Sequence, residues 1–343
     1  MQALVKYAPG PGHVELREVP EPTPGPGWVM IEVASAGICG SDIHIRNWDI
    51  QFILKPPAIM GHEYAGTIVA VGEGVSDLRV GQRAVGETAI ETCGHCAACQ
   101  NGYYNLCAQK QTLGYVYDGC FAKYMLSPAR RTYALPDAID TLSATAMEPL
   151  ACVVHSTLEQ TRITPGDLVV VAGPGTIGLL ALQTARAAGG RVLITGAGGD
   201  AKRLELARQL GAEWTLDVTQ QDLAATLREL TGGEGCDVYL ECSGAPAAAR
   251  AGFQSLRRLG QYTQIGLAGK PFEIDMATIA YKGLRVSGGV GQRRQSWERA
   301  MALLASGAVA TRPIITHILP LSEWEEGFRL FESREGGKIV LIP

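Results

Sequence analysis

The segment Leu168–Gly178, LVVVAGPGTIG, constrains this chain more than any other. A short β-branched run, Leu168 to Val171, reads as a buried strand. Gly173, Gly175 and Gly178 follow in G-x-G-x-x-G spacing, and LLALQTARAAG continues as a helix closed by Gly189 and Gly190. Gly173 permits a tight turn, Gly175 lets a pyrophosphate approach bare backbone, and Gly178 lets helix and strand pack closely. The start of the helix then offers free N–H groups and a partial positive charge to phosphates. The same spacing also occurs in ordinary βαβ turns. Its weight comes from context: a strand before it, a helix after it, and a second strand at Arg191–Thr195. In that setting it reads as the dinucleotide site of a doubly wound parallel sheet, the Rossmann arrangement.

With 343 residues there is length for two domains and a sizeable core. A net charge of −4 gives no electrostatic handle for nucleic acid or an anionic membrane, so neither is expected as a partner. No apolar run reaches the ~18 residues of a membrane span. MQALVKYAPG reads as a first strand rather than a secretion signal, so a soluble, cytoplasmic protein is expected. Nine cysteines in that compartment point to metal ligation rather than disulfides.

Residues 1–150 read as mostly β, with short strands at Gln2–Tyr7, Val14–Val19, Trp28–Ala36, Tyr64–Val71, Val80–Val85 and Phe121–Leu126. That spacing suits a small barrel or partly open sandwich. Ala144–Glu159 reads as one helix. From Asp167 strands and helices alternate, which implies a parallel sheet with helices on both faces. From about Leu284 the texture is mixed again, ending in a strand at Lys338–Ile342. The simplest organisation is α/β: a doubly wound domain, 151–284, inserted into a β-rich domain made of 1–150 and 285–343.

Cys93, Cys96, Cys99 and Cys107 form C-x2-C-x2-C-x7-C. One zinc neutralises four such thiolates in a tetrahedral site with no position left for substrate, so the site is structural. An iron–sulfur cluster is the rival occupant. His95 lies between two ligands and reads as a loop residue, because four cysteines already close the site.

Cys39 in AGICGSDIH and His62–Glu63 in MGHEYAG are ordinary when taken singly. A lone cysteine is usually a small buried hydrophobe. In order along the chain, however, CGSDIH, GHEYAG, the four-cysteine lobe, MEPLACVVH at Met147–His155 and AGPGTIG resemble the zinc-containing medium-chain alcohol dehydrogenases. The resemblance covers nearly the whole chain and is strongest to the branch of sorbitol (polyol) and L-threonine dehydrogenases. It implies a GroES-like catalytic domain beside the Rossmann domain, and a homo-oligomer, a tetramer or a dimer. It implies that Cys39 and His62 hold a catalytic zinc, with Glu63 as a third or an exchangeable ligand. Glu148 stands where liver-type enzymes place a second cysteine; in the polyol branch an acid there ligates the zinc or holds its water. Cys152, four residues on, is not assigned to the metal. Ser41 and His44 match the proton-relay positions, and Ile177, Ile265, Gly266, Leu267, Gly289 and Val290 match cofactor contacts.

The implied chemistry is coherent. Zinc with three protein ligands keeps one position for an alcohol oxygen and lowers its pKa. The alkoxide passes a hydride to nicotinamide. Ser41 can hydrogen-bond the oxygen, and His44 can pass the proton to solvent.

The cofactor itself stays open between NAD and NADP. An acid is expected ~20 residues after the glycines, at the end of the second strand. Here Thr195 is followed by Gly196. The missing carboxylate, with Lys202 and Arg203 nearby, favours NADP. Against it, Arg203 matches by resemblance an arginine that contacts the ribose in NAD-using relatives, and Asp200 can still reach the ribose from a longer loop. A polyol or secondary alcohol is the expected small-molecule substrate. An L-threonine 3-dehydrogenase-like enzyme is the alternative, and a non-catalytic nicotinamide-cofactor-binding relative is the alternative from another class. Tyr115, Tyr117 and Trp48 are candidates for the pocket lining, or equally for the core.

Overall fold

Strand Trp28–Gly37 organises the N-terminal part of the chain. Its ten residues alternate, with Val29, Ile31 and Val33 turned into the core. It pairs antiparallel with Glu63–Val71 along one edge, and with Tyr124–Pro128 and Lys338–Ile342 along the other. The sheet order is Thr132–Ala134, Arg83–Gly86, Glu63–Val71, Trp28–Gly37, Lys338–Ile342, Ile315–Pro320. A second sheet joins Val14–Glu18, Gln2–Lys6 and Ala58–Ile59. Ile31, Ile38, Met60, Ile68, Phe121 and Phe328 belong to the core between these elements. The computed structural model describes residues 1–50 and 54–343. They divide into two compact units, Met1–Glu148 with Ile315–Pro343, and Pro149–Ile314.

The second unit is a six-stranded parallel sheet. Its order is Trp214–Asp217, Arg191–Gly196, Leu168–Ala172, Cys236–Glu241, Leu256–Gln264, Arg285–Gly288. Numbered along the chain this is 3-2-1-4-5-6, the doubly wound order, whose ligand crevice lies past the carboxyl ends of the strands. Helices Thr176–Ala187, Ala201–Gln209 and Pro246–Ser255 connect parallel neighbours, and Leu223–Thr231 carries the chain from the edge strand Trp214–Asp217 across to Cys236–Glu241.

Two expectations need correction. The sequence pattern places residues 285–314 with the first domain, but the structure places them with the second. Arg285–Gly288 is an edge strand, mostly exposed, so it lacks the apolar pattern of its neighbours. Gln183 further ties the following segment to helix Thr176–Ala187, accepting from Ala310 N–H at 2.8 Å and donating to Ala310 O at 3.1 Å. The single helix over Ala144–Glu159 is instead three pieces, Thr141–Ala144, Met147–Val154 and a wide π-turn at His155–Glu159. Pro149 has no N–H, and its ring crowds the carbonyl four residues back, so the helix restarts at Met147 with Pro149 in its first turn. Among the described residues no helix is long and apolar enough to cross a membrane. None of the nine cysteines is in a disulfide.

Candidate active site and metal centres

The register of two strands brings the first constellation together. Gly37 ends one strand and pairs with Glu63, which starts its neighbour. Cys39 therefore lies beside His62 and Glu63, and one ligand atom from each falls within 4.8 Å of the others. His62 and Glu63 are buried. A Cβ at Gly37 would lie 2.4 Å from Glu63 Oε2 and 2.9 Å from Lys338 Cε, so a larger residue there would displace that pair.

Cys39 is also the N-cap of helix Gly40–Asn47, where Asp42 Oδ2 accepts the Cys39 N–H at 2.9 Å. The other oxygen, Asp42 Oδ1, faces His62 Nδ1 at 3.7 Å. His62 Nε2 is turned the other way, 3.3 Å from Ser41 Oγ. A buried carboxylate thus orients the imidazole that it backs, as behind a metal-bound histidine. Burial pushes Asp42 up to about 6. For His62 burial pulls the pKa down, but Asp42 and Cys39 outweigh it and raise it to about 10. The same negative surroundings that hold a proton on the ring favour a metal cation in its place.

Lys338 is buried, donates to Ile38 O at 2.8 Å and forms an ion pair with Glu63. Glu148, in the first turn of helix Met147–Val154, is buried and acts on His62 and Lys338 through its charge, but it stands outside the close set. The carboxylates of Asp42, Glu63 and Glu148 outnumber the cations Lys338 and protonated His62, and the S, N, O donor set of Cys39, His62 and Glu63 suits zinc. Tyr115 sets its ring edge against His62, 5.8 Å between centroids. Tyr117 packs on Trp28 instead, and Trp48 lies under Lys6. His44 is half-exposed, with Nδ1 3.1 Å from Asp49 Oδ2. Cys152 donates to Gln292 Oε1.

The four cysteines of the lobe gather as their spacing requires. Sulfur separations of 3.6 Å (Cys107–Cys93) and 3.9 Å (Cys93–Cys99) match the edge of a zinc–thiolate tetrahedron, about 3.8 Å for bonds of about 2.3 Å. The N–H groups of Cys96, Cys99 and Cys93 point to the sulfurs of Cys93, Cys96 and Cys107. His95 turns back to Cys93 O at 2.8 Å and stays exposed, so it is a loop residue. Buried Glu87 anchors the lobe, accepting from Tyr104 OH at 3.1 Å, Tyr133 OH at 2.6 Å and Arg131 Nη1 at 3.1 Å.

In the second unit Gly173 has φ of +99°, and a Cβ at Gly178 would lie 1.8 Å from Gly173 O. A Cβ at Gly175 would meet nothing within 4 Å, so the turn leaves open space where a phosphate would sit. Gly175 is the N-cap of helix Thr176–Ala187 with no side-chain cap, and Ile177 is in the first turn. Ile265, Gly266 and Leu267 follow the end of one strand, and Gly289 and Val290 follow the end of the next, on the same carboxyl edge of the sheet. Gly289 abuts Ser156 so closely that a Cβ would lie 2.2 Å from its Oγ. Glu241 organises this edge, accepting the N–H groups of Ser243 and Gly244 at 2.9 Å each and Gln264 Nε2 at 2.6 Å.

Sequence reasoning passed over Asp42, Lys338 and Glu241. Each carried a signal. Asp42 is three residues past Cys39, the distance at which a carboxylate reaches back to an N-cap. Lys338 opens an apolar strand, and Glu241 ends one before Ser-Gly.

Comparison with known proteins agrees with this geometry. Residues 25–137 match the family described as "Alcohol dehydrogenase GroES-like domain", and residues 176–306 match "Zinc-binding dehydrogenase". A sorbitol dehydrogenase of Halalkalibacterium halodurans is 42% identical, covering 100% of this chain and 99% of its own length. An L-threonine 3-dehydrogenase of Bacillus velezensis is 36% identical with 100% and 99% covered. A solved zinc-binding dehydrogenase from Sinorhizobium meliloti 1021, bound to NADP, superimposes with a TM-score of 0.90 at 29% identity, covering 100% of this chain and 99% of that one. The α/β fold with its β-rich and doubly wound units, the close S/N/O donor set and the full-length similarity agree: this chain belongs to the zinc-binding alcohol dehydrogenase family.

Proposed function

We propose that this chain oxidises a polyol or secondary alcohol to the carbonyl compound and reduces NAD or NADP. The Cys39–His62–Glu63 set, half-buried at the cysteine and buried at the other two, with Ser41 on its histidine, carries this reading. Cys39 and His62 would hold a zinc, with Glu63 as the third or an exchangeable ligand and Glu148 acting from beside them. Zinc there would act as a Lewis acid toward the substrate oxygen. Ser41 Oγ would accept the hydroxyl proton as it gives up its own. His44, three residues on in the same helix and open to solvent, passes it outward. A bound nicotinamide would supply the hydride acceptor, so that one proton and one hydride would leave the substrate in all. Residues Gly173, Gly175, Ile177, Gly178, Arg203, Ile265–Leu267, Gly289 and Val290 would bind the dinucleotide. The four-cysteine lobe would hold the second, structural zinc. The similarity to a sorbitol dehydrogenase along the whole chain supports a polyol.

The test is NADH or NADPH formation against polyols, secondary alcohols and L-threonine, with and without a chelator. A polyol or secondary alcohol is expected to be oxidised, with the rate lost on chelation. Turnover untouched by a chelator that strips both zincs would sink the mechanism, and turnover of threonine alone would replace the substrate.

We also infer a homo-oligomer, a dimer or a tetramer, in the cytoplasm. An edge strand, Arg285–Gly288, whose outer side meets no strand among the described residues, with exposed Val286, Tyr281 and Leu259 close by, supports the first. Nine cysteines with no disulfide among them suit a reducing compartment. Light scattering on the eluting protein is expected to give at least twice the chain mass, and a monomer would refute the assembly.

A further inference from the structure

The strand that should end in an acid ends in Gly196, yet a carboxylate occupies that place. Gly196 lies past Thr195, which pairs with Ala172, so it stands beside the glycine turn. A Cβ at Gly196 would lie 2.9 Å from Asp200 Cβ and 3.1 Å from Pro174 Cγ. Asp200 has therefore folded back onto the strand end, against the turn that opens the dinucleotide site. Two hydrogen bonds fix this position. Asp200 N–H donates to Ala197 O at 3.0 Å, and Ala197 N–H donates to Asp200 Oδ2 at 3.0 Å. Asp200 is the N-cap of helix Ala201–Gln209, where an aspartate ordinarily accepts from the first turn, but this side chain makes no such bond. Its carboxylate is diverted from the helix to the strand end. Only a glycine at 196 leaves room for that.

Arg203, the cation that favoured NADP, is part of the same arrangement. Its Nη1 donates to Asp200 Oδ1 at 3.3 Å. Lys202 is exposed. A carboxylate has about four acceptor positions, and these two bonds leave the others for hydroxyl donors. A 2′-phosphate would bring about two negative charges to a carboxylate that Arg203 already pairs.

We propose that Asp200 receives the adenosine ribose hydroxyls and makes this chain select NAD over NADP. The assignment rests on the reading of the glycine turn as a dinucleotide site. It is tested by equilibrium binding of NADH and NADPH, followed by nicotinamide fluorescence, to the zinc-loaded wild type and Asp200→Asn. The wild type is expected to bind NADH at least about tenfold tighter, and the Asn variant to narrow that ratio by about tenfold or more. Should the Asn variant prove unstable, Arg203→Ala serves instead. It bares the Asp200 carboxylate and is expected to widen the ratio. A wild type that binds NADPH as tightly as NADH, an Asn variant with an unchanged ratio, or a narrowed ratio in Arg203→Ala overturns the assignment and leaves the dinucleotide site standing. A chain that binds neither dinucleotide overturns both.

Discussion

His62→Ala is expected to lower turnover on the order of a thousandfold or more, while NADH binding stays within about twofold. Cys39, His62 and Glu63 form one close donor set, and removing its nitrogen leaves only sulfur and a carboxylate that Lys338 already engages. Zinc content should fall from two per chain toward one. The substitution also strips Asp42 of the imidazole it faces, and a buried carboxylate without that partner costs roughly 1–3 kcal/mol. Some loss of stability is therefore expected in the unit Met1–Glu148 with Ile315–Pro343. The dinucleotide residues belong to the other unit, so NADH binding reports on folding independently of catalysis. Turnover within tenfold of wild type, in a variant that still binds NADH, would remove His62 from the chemistry.

What could be read from the sequence divides along physical lines. The glycine turn was legible because its function lies in backbone shape: Gly173 needs a positive φ and Gly178 admits no Cβ. The cysteine lobe was legible because its ligands are local, and spacing alone brings them together. Cys39 and His62 are 23 residues apart, and only the pairing of Gly37 with Glu63 brings them side by side. No local pattern encodes that register, so the resemblance to a family had to supply it. Lys338 was out of reach for the same reason, since it meets Glu63 across 275 residues of chain. Asp200 is a middle case. The sequence offers it as an acid on a longer loop, but a fixed offset from the glycines does not encode the turn that folds it back on Gly196. Residues 285–314 were misplaced because an edge strand carries little apolar signal.

Cys96→Ser should act on stability before it acts on catalysis. The lobe has almost no core: helix Ala97–Gln100 has no buried residue, and Cys107 alone among the four ligands is buried. In place of a core it has four sulfurs set for one tetrahedral ion, and structural zinc sites of this kind contribute about 10–16 kcal/mol of apparent binding free energy at neutral pH. A serine at 96 removes one thiolate and leaves an alcohol that zinc binds poorly. Zinc content is expected to fall from two to one, and the unfolding midpoint to drop by roughly 5–10 °C. The loss should stop short of complete unfolding, because Glu87 still holds the lobe through Tyr104 and Arg131, and Arg131 stacks on the Tyr104 ring at 4.0 Å. Combining Cys96→Ser with Glu87→Gln weakens both anchors of one loop, so their effects should exceed the sum of the single changes. Residual turnover of Cys96→Ser at low temperature should stay near wild type, since the Cys39–His62–Glu63 set is separate. An unchanged midpoint with two zincs retained would mean that three cysteines hold the ion without the fourth, and that the lobe depends on Glu87 more than on its metal.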